Sequence, residues 1–235
     1  MVCLPIVASD REDLQVQARE MAGLGPDLIE WRVDGYGRVT DVQECCDSLS
    51  VLQQIIHPIP LIFTCRIQAE AGMAEISDTA RLDLILRAMK TGLVDILDIE
   101  LCNSREFVDS VTGAAKIFDT RIILSCHDFE NTPSKDVIVG KLAEAQERGA
   151  DIAKLAAMPR GHKDVLTLMA ATLAARQGLV KIPMITVSMG EQGAVSRVAG
   201  GVFGSDITFA MGKDASAPGQ MPIQSLRKAM SALYP

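Results

Sequence analysis

The sequence predicts a single (β/α)8 barrel over residues 1–235. The first observation is a regular alternation, in which eight short β-rich runs alternate with eight stretches whose apolar residues recur at three- and four-residue spacing. The second is that no Ser-, Gly- or Pro-rich linker divides the chain. The third is the length of 235 residues, which suits one such barrel. An open, doubly wound sheet is the competing architecture, but eight regular units favour closure.

Each unit is predicted from a β-rich run, a turn and a helical stretch. The predicted strands are Val2–Ala8, Leu28–Asp34, Pro60–Arg66, Val94–Leu101, Arg121–Phe129, Asp151–Ala157, Pro183–Met189 and Gly204–Met211. The predicted helices are Asp10–Gly23, Asp41–Ile56, Asp78–Thr91, Ser104–Phe118, Ser134–Arg148, Lys163–Gln177, Gln192–Ala199 and Pro222–Leu233. The strands must run parallel, because each helical crossover returns the chain to the same edge of the sheet.

Capping residues support several of these boundaries. Ser104 and Ser134 precede helical runs, where a hydroxyl can accept a hydrogen bond from a free backbone N–H of the first turn. Gly23, Gly92 and Gly149 follow helical runs, where glycine commonly ends a helix. These signals place the turns between the periodic segments and so strengthen the count of eight units.

Charge and hydropathy limit the partners. The net charge is −7 and no basic cluster occurs, which disfavours nucleic acid because phosphate binding needs a basic face. No stretch approaches the roughly 18 apolar residues of a membrane-spanning helix. The chain also begins almost at its first strand, without a charged leader or a signal-type cleavage site. We therefore expect neither a nucleic acid nor a membrane as partner.

Cysteine and histidine usage gives no indication of a metal or cofactor. The six cysteines form no CxxC pair and mostly lie in apolar runs, as reduced thiols in the cytoplasm do. The three histidines are scattered, and no HExxH-type spacing occurs. Cys126 and His127 are neighbours on one predicted strand, so they point to opposite faces and cannot share an ion. Glycine-rich nucleotide-binding loops are also missing.

Lys154 is the most informative single residue. It lies in the apolar run 150–158, bounded by Gly149 and Pro159. Burial disfavours the charged ammonium, so a neutral amine that condenses with a ketone or aldehyde becomes accessible. A structural interpretation, in which Lys154 reaches the surface or pairs with a carboxylate, is the more economical one for this run alone. The polar residues elsewhere in the chain favour the catalytic interpretation of Lys154 over the structural one.

Polar residues crowd the carboxyl ends of the predicted strands, where barrel enzymes place their chemistry. They are Glu30, Arg32, Asp34, Arg66, Glu70, Asp98, Glu100, Ser125, His127, Asp128, Ser188 and Arg197, and the last strand is followed by a segment of lid-like composition at 214–220. Individually they have structural explanations, such as a buried ion-pair network of Arg32, Asp34 and Asp98. Their convergence on one mouth of the barrel is what favours an active site.

These residue types predict a chemistry. Lys154 would form an imine with a carbonyl substrate, and His127 would move protons near neutral pH. Glu70 would orient His127 and fix its tautomer. Several arginines at the same mouth predict a carboxylated substrate. The residues alone therefore predict a Schiff-base lyase or aldolase acting on an acidic carbonyl compound.

The order and spacing of these motifs resemble those of the type I 3-dehydroquinate dehydratases, the Schiff-base dehydroquinases of the shikimate pathway. The resemblance covers essentially the whole chain. Its motifs are Glu30-x-Arg32-x-Asp34, Thr64-x-Arg66 with Glu70, His127-Asp128-Phe129, Lys154 with Met158-Pro159, Ser188-Met189-Gly190, Ser196-Arg197, Phe203-Gly204-Ser205 and the segment 215–220.

The cysteine usage described above favours a cytoplasmic protein. The resemblance implies a homodimer that dehydrates 3-dehydroquinate to 3-dehydroshikimate without metal or cofactor. It implies that Lys154 attacks the substrate ketone and that His127, paired with Glu70, takes the C2 proton and protonates the departing hydroxyl. It assigns substrate binding to Glu30, Arg32, Arg66, Met189, Arg197, Ser216 and Gln220.

The chain departs from the family pattern at three positions. Cys65 and Cys126 stand where larger residues are usual, and Pro5 stands where several relatives carry a small polar residue. We therefore leave the first strand out of the site.

Two alternatives remain open. A class I aldolase on the same barrel would need a phosphate site after strands seven and eight, where Gly200-Gly201 and Gly212-Lys213 supply glycine. A catalytically inactive barrel could instead serve as a binding module. The combination of Lys154, His127 and Glu70 argues against this second alternative.

Overall fold

The computed structural model describes residues 1–213 and 216–234. Strands and α-helices alternate along this part of the chain. In order they are β1 (Val2–Ile6), α1 (Arg11–Gly23), β2 (Leu28–Arg32), α2 (Val42–Ile56), β3 (Leu61–Thr64), α3 (Asp78–Lys90), β4 (Ile96–Glu100), α4 (Arg105–Phe118), β5 (Arg121–Asp128), α5 (Lys135–Glu147), β6 (Ile152–Ala157), α6 (His162–Gln177), β7 (Met184–Ser188), α7 (Ala194–Phe203), β8 (Thr208–Phe209) and α8 (Ile223–Ser231). The predicted β/α alternation is therefore confirmed.

The strands form one sheet in the order β7-β6-β5-β4-β3-β2-β1-β8. The ladders β2–β3, β3–β4, β6–β7 and β1–β8 are parallel, as predicted. Register fixes which side chains share a face: Arg32 pairs with Thr64, and Thr64 pairs with Asp98. Because paired residues of a parallel ladder point the same way, these three polar side chains lie on one face, with Arg32 and Thr64 at the carboxyl ends of their strands and Asp98 in the middle of β4.

Each of the eight predicted strands extends beyond the observed strand at one or both ends. The second strand ends at Arg32, and a 3-10 turn over Val33–Gly35 carries Asp34 instead of the strand. The last strand shrinks from the predicted Gly204–Met211 to Thr208–Phe209. Both segments combine apolar residues with a turn, and the apolar pattern alone extends through the turn.

Helix caps explain where several helices begin. Ser104 Oγ accepts a hydrogen bond from Phe107 N at 3.2 Å, as predicted for α4. Ser134 precedes α5, but its side chain makes no capping hydrogen bond, so that prediction was wrong. The carbonyl of Ser134 accepts from Ile138 N instead, which closes the first turn. No helix in the described ranges is long and apolar enough to cross a membrane.

Leu4–Ile123 forms one compact unit, and Met1–Cys3 with the chain from Leu124 onward forms the other. In the first unit, α1 packs on α2, α2 on α3 and α3 on α4. Its buried core includes Trp31, whose ring meets Tyr36 and Phe63 edge-to-face at 5.8 and 5.6 Å between centroids. Such aromatic pairs stabilise a fold by about 0.5–1.5 kcal/mol each beyond burial.

The second unit packs α5 on α6, α6 on α7 and α7 on α8. The start of β8 is tied to β7 and to the start of the chain, since Asp206 N donates to Met184 O at 2.7 Å and Thr208 N donates to Met1 O at 2.9 Å.

Candidate active site

The predicted site residues divide between the two compact units. Glu30, Arg32, Arg66 and Glu70 belong to the unit Leu4–Ile123, and His127, Lys154, Met189, Arg197, Ser216 and Gln220 belong to the other.

In the first unit, Arg66 is the centre of a buried ion-pair network. Its Nη2 lies 3.0 Å from Asp98 Oδ1, and its Nη1 donates to Glu100 Oε1 at 2.9 Å. Burial opposes the charge of the guanidinium, but Asp98, Glu100, Glu30 and Glu70 outweigh burial and raise the pKa of Arg66. Thr64 Oγ1 donates to Glu30 Oε1 at 2.8 Å and orients that carboxylate on the same face. The network fixes the positions of these polar groups before any ligand binds.

Asp34 links this network to the neighbouring loop. Its carboxylate accepts from Arg32 Nε at 3.0 Å and Arg32 Nη2 at 2.9 Å. It also accepts from the backbone N–H groups of Arg66 and Met73, each at 3.1 Å. Burial opposes the charge of Arg32, but the hydrogen bond between Arg32 and Asp34 helps to raise the pKa of Arg32. Asp34 therefore orients Arg32 and holds both ends of the loop that carries Glu70.

Replacing Asp34 with asparagine is expected to lower the free energy of unfolding by about 3–5 kcal/mol, because an amide NH2 would face donors where the carboxylate now accepts. Urea denaturation measures the loss. Asp83→Asn is the matched control, because Asp83 is exposed on α3 and forms a surface ion pair with Arg87. Equal unfolding free energies for the two variants would contradict the role of Asp34.

Glu70 ends a 3-10 turn over Gln68–Glu70 and is 6 % exposed. Ala71 follows in the left-handed region at φ 62°, and Gly72 N donates to Ile67 O at 2.8 Å. A Cβ on Gly72 would lie 2.1 Å from Arg66 O, so only glycine closes this turn. Cys102 Sγ donates to Glu70 Oε1 at 3.4 Å. The turn thus holds a buried carboxylate at a defined position.

In the second unit, Lys154 lies in β6 and is 7 % exposed. Its Nζ stands 4.6 Å from the centroid of the Phe209 ring, within the range of a cation–π contact. The alternative in which Lys154 reaches the surface is therefore wrong. The Phe209 ring and the strand β6 thereby hold the Lys154 amine at a buried position.

His127 lies near the carboxyl end of β5 and is partly exposed. Its ring stacks on Phe129 with 6.2 Å between centroids and 17° between planes. Met158 N donates to Asp128 O at 2.8 Å, which ties the end of β5 to the end of β6. The imidazole is therefore held near a strand end that is tied to the neighbouring strand.

Of the two residues predicted at the end of the seventh strand, Ser188 ends β7 and Met189 follows it. The ladder pairs Lys154 with Ile185 and Ala157 with Ser188, so Ser188 points to the face opposite Lys154. Its inclusion among the residues of the mouth was wrong for that reason. Met189 follows as a buried residue whose N–H donates to Ala157 O at 2.9 Å.

Arg197 on α7 is a buried cation, 3 % exposed. Its Nη1 donates to Phe209 O at 3.1 Å and its Nη2 to Pro218 O at 2.9 Å, while Nε has no hydrogen-bond partner among the described residues. Burial lowers the pKa of Arg197 to about 10, so it stays protonated at neutral pH. Within residues 1–213 and 216–234, no carboxylate forms a salt bridge with it. A buried guanidinium in this state is suited to an anionic ligand.

The loop after β8 lies against the loop after β7. Pro218 O accepts from Gly190 N at 3.2 Å, and Gly219 has φ 76°. A Cβ on Gly219 would lie 2.1 Å from Gly190 O. Gln220 Oε1 accepts from Ser216 N at 2.8 Å, so these two predicted residues brace each other. Asp214 and Ala215 of the predicted lid lie outside the described residues.

No group of three or more His, Cys, Asp or Glu side chains in the described part of the chain is placed to hold a metal ion. The carboxylates of Asp34, Asp98 and Glu100 instead take part in the ion pairs described above.

Comparison with known proteins identifies the family. The family model for type I 3-dehydroquinase matches residues 2–235. The 3-dehydroquinate dehydratase of Klebsiella pneumoniae (strain 342) is 40% identical over 233 residues, covering 99% of this chain and 93% of that protein.

Two solved structures agree with this result. The type I 3-dehydroquinate dehydratase of Clostridium difficile, solved with covalently modified comenic acid, is 39% identical with a TM-score of 0.96, and the match covers 99% of this chain and 91% of that one. The 3-dehydroquinate dehydratase of Geobacillus kaustophilus HTA426 is 36% identical with a TM-score of 0.97, covering 99% and 90% of the two chains. The predicted (β/α)8 barrel is thereby confirmed, and the chain belongs to the type I 3-dehydroquinase family.

Proposed function

We propose that this chain dehydrates 3-dehydroquinate to 3-dehydroshikimate, a step of the shikimate pathway, through a Schiff base at Lys154. The observation that carries the proposal is the buried lysine amine on β6 of a type I 3-dehydroquinase. A lysine of this kind forms imines with ketones.

The reaction begins when the Lys154 amine attacks the substrate ketone. A C–N bond forms, the carbonyl oxygen leaves as water, and a protonated imine remains. The positive nitrogen withdraws electrons from the adjacent C2–H bond and makes that proton more acidic. Buried surroundings suit this step, because the imine is an intermediate that water would hydrolyse.

His127 is the general base and acid of the proposed reaction. Its imidazole removes the C2 proton, and the electron pair left behind expels the C1 hydroxyl, which takes a proton from the imidazolium and leaves as water. Attack of a second water on the imine then releases the conjugated ketone and restores the Lys154 amine. Glu70 orients His127 in this scheme and selects its tautomer.

The remaining residues bind the substrate. Arg197 supplies a buried cation for the carboxylate, and its unpartnered Nε is a donor available to that group. Glu30, Arg32 and Arg66 hold the ring hydroxyls with charged donors and acceptors that the ion-pair network keeps in place. Met189 packs against the ring. Ser216 and Gln220 close over the bound substrate and exclude water.

Replacing Arg197 with methionine is expected to raise KM by roughly 30- to 1,000-fold, since loss of one partner of a buried charge pair costs about 2–4 kcal/mol of binding. Methionine keeps much of the side-chain volume and removes the charge. Steady-state kinetics with 3-dehydroquinate measures the change. Arg19→Met, an exposed position on α1, is the control. An unchanged KM would refute the assignment of Arg197 to the carboxylate.

The function is tested by following the ultraviolet absorbance of the conjugated ketone after 3-dehydroquinate is added to the purified protein. The proposal expects steady product formation that continues in the presence of a chelator. Absence of product under conditions where a known type I enzyme turns over would overturn the proposal and favour the aldolase or the inactive binding module.

We also propose that residues 1–235 act as one catalytic domain, and that the protein is a cytoplasmic homodimer. Strands β1 and β5 each contribute residues to both compact units, which supports a single functional domain. The six cysteines all lie within the described residues and form no disulfide there, as expected in a reducing compartment. The homodimer rests on the family resemblance.

A further inference from the structure

We propose that Cys102, in the loop between β4 and α4, is a positioning residue for the dehydration. Its thiol donates a hydrogen bond to Glu70 and sets the orientation of that carboxylate. The inference rests on the proposed function, in which Glu70 orients His127.

The contact joins an exposed loop to a buried carboxylate. Cys102 is exposed, yet its Sγ lies 3.4 Å from Glu70 Oε1, within the range of a sulfur hydrogen bond. The terminal torsion of a glutamate side chain is soft, so the hydrogen-bond donors around a carboxylate decide how it turns. A donor at Oε1 therefore controls the direction in which Glu70 presents its other lone pairs.

The thiol is the donor of this hydrogen bond. A thiol carries one S–H and a carboxylate oxygen accepts, so the contact runs from Cys102 Sγ to Glu70 Oε1. Glu70 is also among the carboxylates whose negative charge raises the pKa of Arg66.

The loop that carries Cys102 is held in place by hydrogen bonds of Asn103, the next residue, to Glu100 and Arg81. Asn103 Nδ2 donates to Glu100 O at 2.6 Å and to Glu100 Oε2 at 3.2 Å. Arg81 on α3 donates to Asn103 Oδ1 and, at 2.8 Å, to Glu100 Oε2. Arg81 is fully buried, with its guanidinium carbon 4.4 Å from the centroid of the Phe107 ring.

This clamp acts on the residue next to Cys102. Because Asn103 is fixed to Glu100 and Arg81, the backbone of Cys102 has little freedom, although its side chain meets solvent. Glu100 also accepts from Arg66 and from Ile67 N, at the start of the loop that carries Glu70. One carboxylate thus anchors both loops, and the distance from Cys102 to Glu70 is set by the fold.

The test compares three variants of the full chain: Cys102→Ala, Cys102→Ser and Cys46→Ala. Cys46 is a half-buried thiol on α2 and serves as the control for loss of a cysteine. We expect Cys102→Ala to lower kcat about three- to tenfold, the effect of one hydrogen bond, while KM stays within about twofold. Cys102→Ser keeps a donor and is expected to restore kcat to within about twofold of the original chain. Thermal midpoints exclude unfolding as the cause.

The outcomes separate this inference from the function on which it rests. If the original chain produces no conjugated ketone from 3-dehydroquinate, the proposed function fails. If that chain is active and Cys102→Ala matches it in kcat, the positioning role is wrong while the function stands. Equal losses in the alanine and serine variants would also overturn the role, because they would show that donation is not what matters.

Discussion

Replacing Lys154 with alanine is expected to reduce the turnover of 3-dehydroquinate by about 10⁴-fold or more, on the order of what the loss of a covalent nucleophile costs. The alanine side chain cannot form an imine, so the C2 proton loses the activation that the positive nitrogen provides. Absorbance of the conjugated ketone measures the rate. Calorimetry measures substrate binding, which should persist because Arg197 and the ion-pair network of Arg66 are untouched.

Lys163→Ala is the matched control for this variant. Lys163 is an exposed lysine at the start of α6, so its loss should leave turnover within about twofold. Turnover by Lys154→Ala at a rate similar to that of the original chain would show that no Schiff base is needed.

Replacing His127 with alanine is expected to lower kcat by about 10²- to 10⁴-fold, the range that a general acid–base contributes. The lysine amine remains, so an imine can still form while its proton transfers are slow. The covalent adduct should therefore persist longer than in the original chain. Intact-protein mass spectrometry at a series of times after mixing measures its lifetime, and added imidazole should restore part of the rate.

His162→Ala provides the comparison, because His162 is exposed at the first position of α6. It should behave like the original chain. If His127→Ala turns over normally, or if it forms no adduct while Lys154 is intact, His127 does not have the role that we propose.

Secondary structure could be predicted because each β/α unit carries its own local pattern. Apolar spacing, caps and glycines mark the elements independently of the rest of the chain. The residues at which the strands end could not be predicted in the same way. Asp34 continues the alternation of β2 by sequence, but its carboxylate binds Arg66 N and Met73 N, and the chain turns to reach them. Such contacts connect residues distant in sequence and leave no local pattern.

The candidate site was predictable where a residue type is costly in its setting. A lysine within an apolar strand such as β6 is unusual enough to suggest chemistry from sequence alone. Arg81 is a second residue in a costly setting, and no role was predicted for it. It lies on the apolar face of α3, at the spacing of Leu84 and Ile85, and it is fully buried. An arginine at that spacing indicates a buried ion pair, which here clamps the loop of Cys102.

Cys102 and Ser188 show the other limit. Cys102 looks like an ordinary apolar residue two positions after Glu100, and the role that we propose for it rests on its 3.4 Å contact with Glu70, a residue distant in sequence. Ser188 looks like a polar residue at a strand end, yet the β6–β7 register turns it away from Lys154. The face on which a side chain lies, and the residue that it contacts, depend on the register between strands. The sequence of one strand does not determine that register.

The central claim is the imine at Lys154, and borohydride trapping tests it most directly. The protein is incubated with 3-dehydroquinate and sodium borohydride, digested, and mapped by mass spectrometry. Reduction of the imine makes the C–N bond permanent, so the account predicts a ligand-derived mass on the peptide that contains Lys154. Normal product formation without any adduct at Lys154, or with the adduct at another lysine, would contradict it.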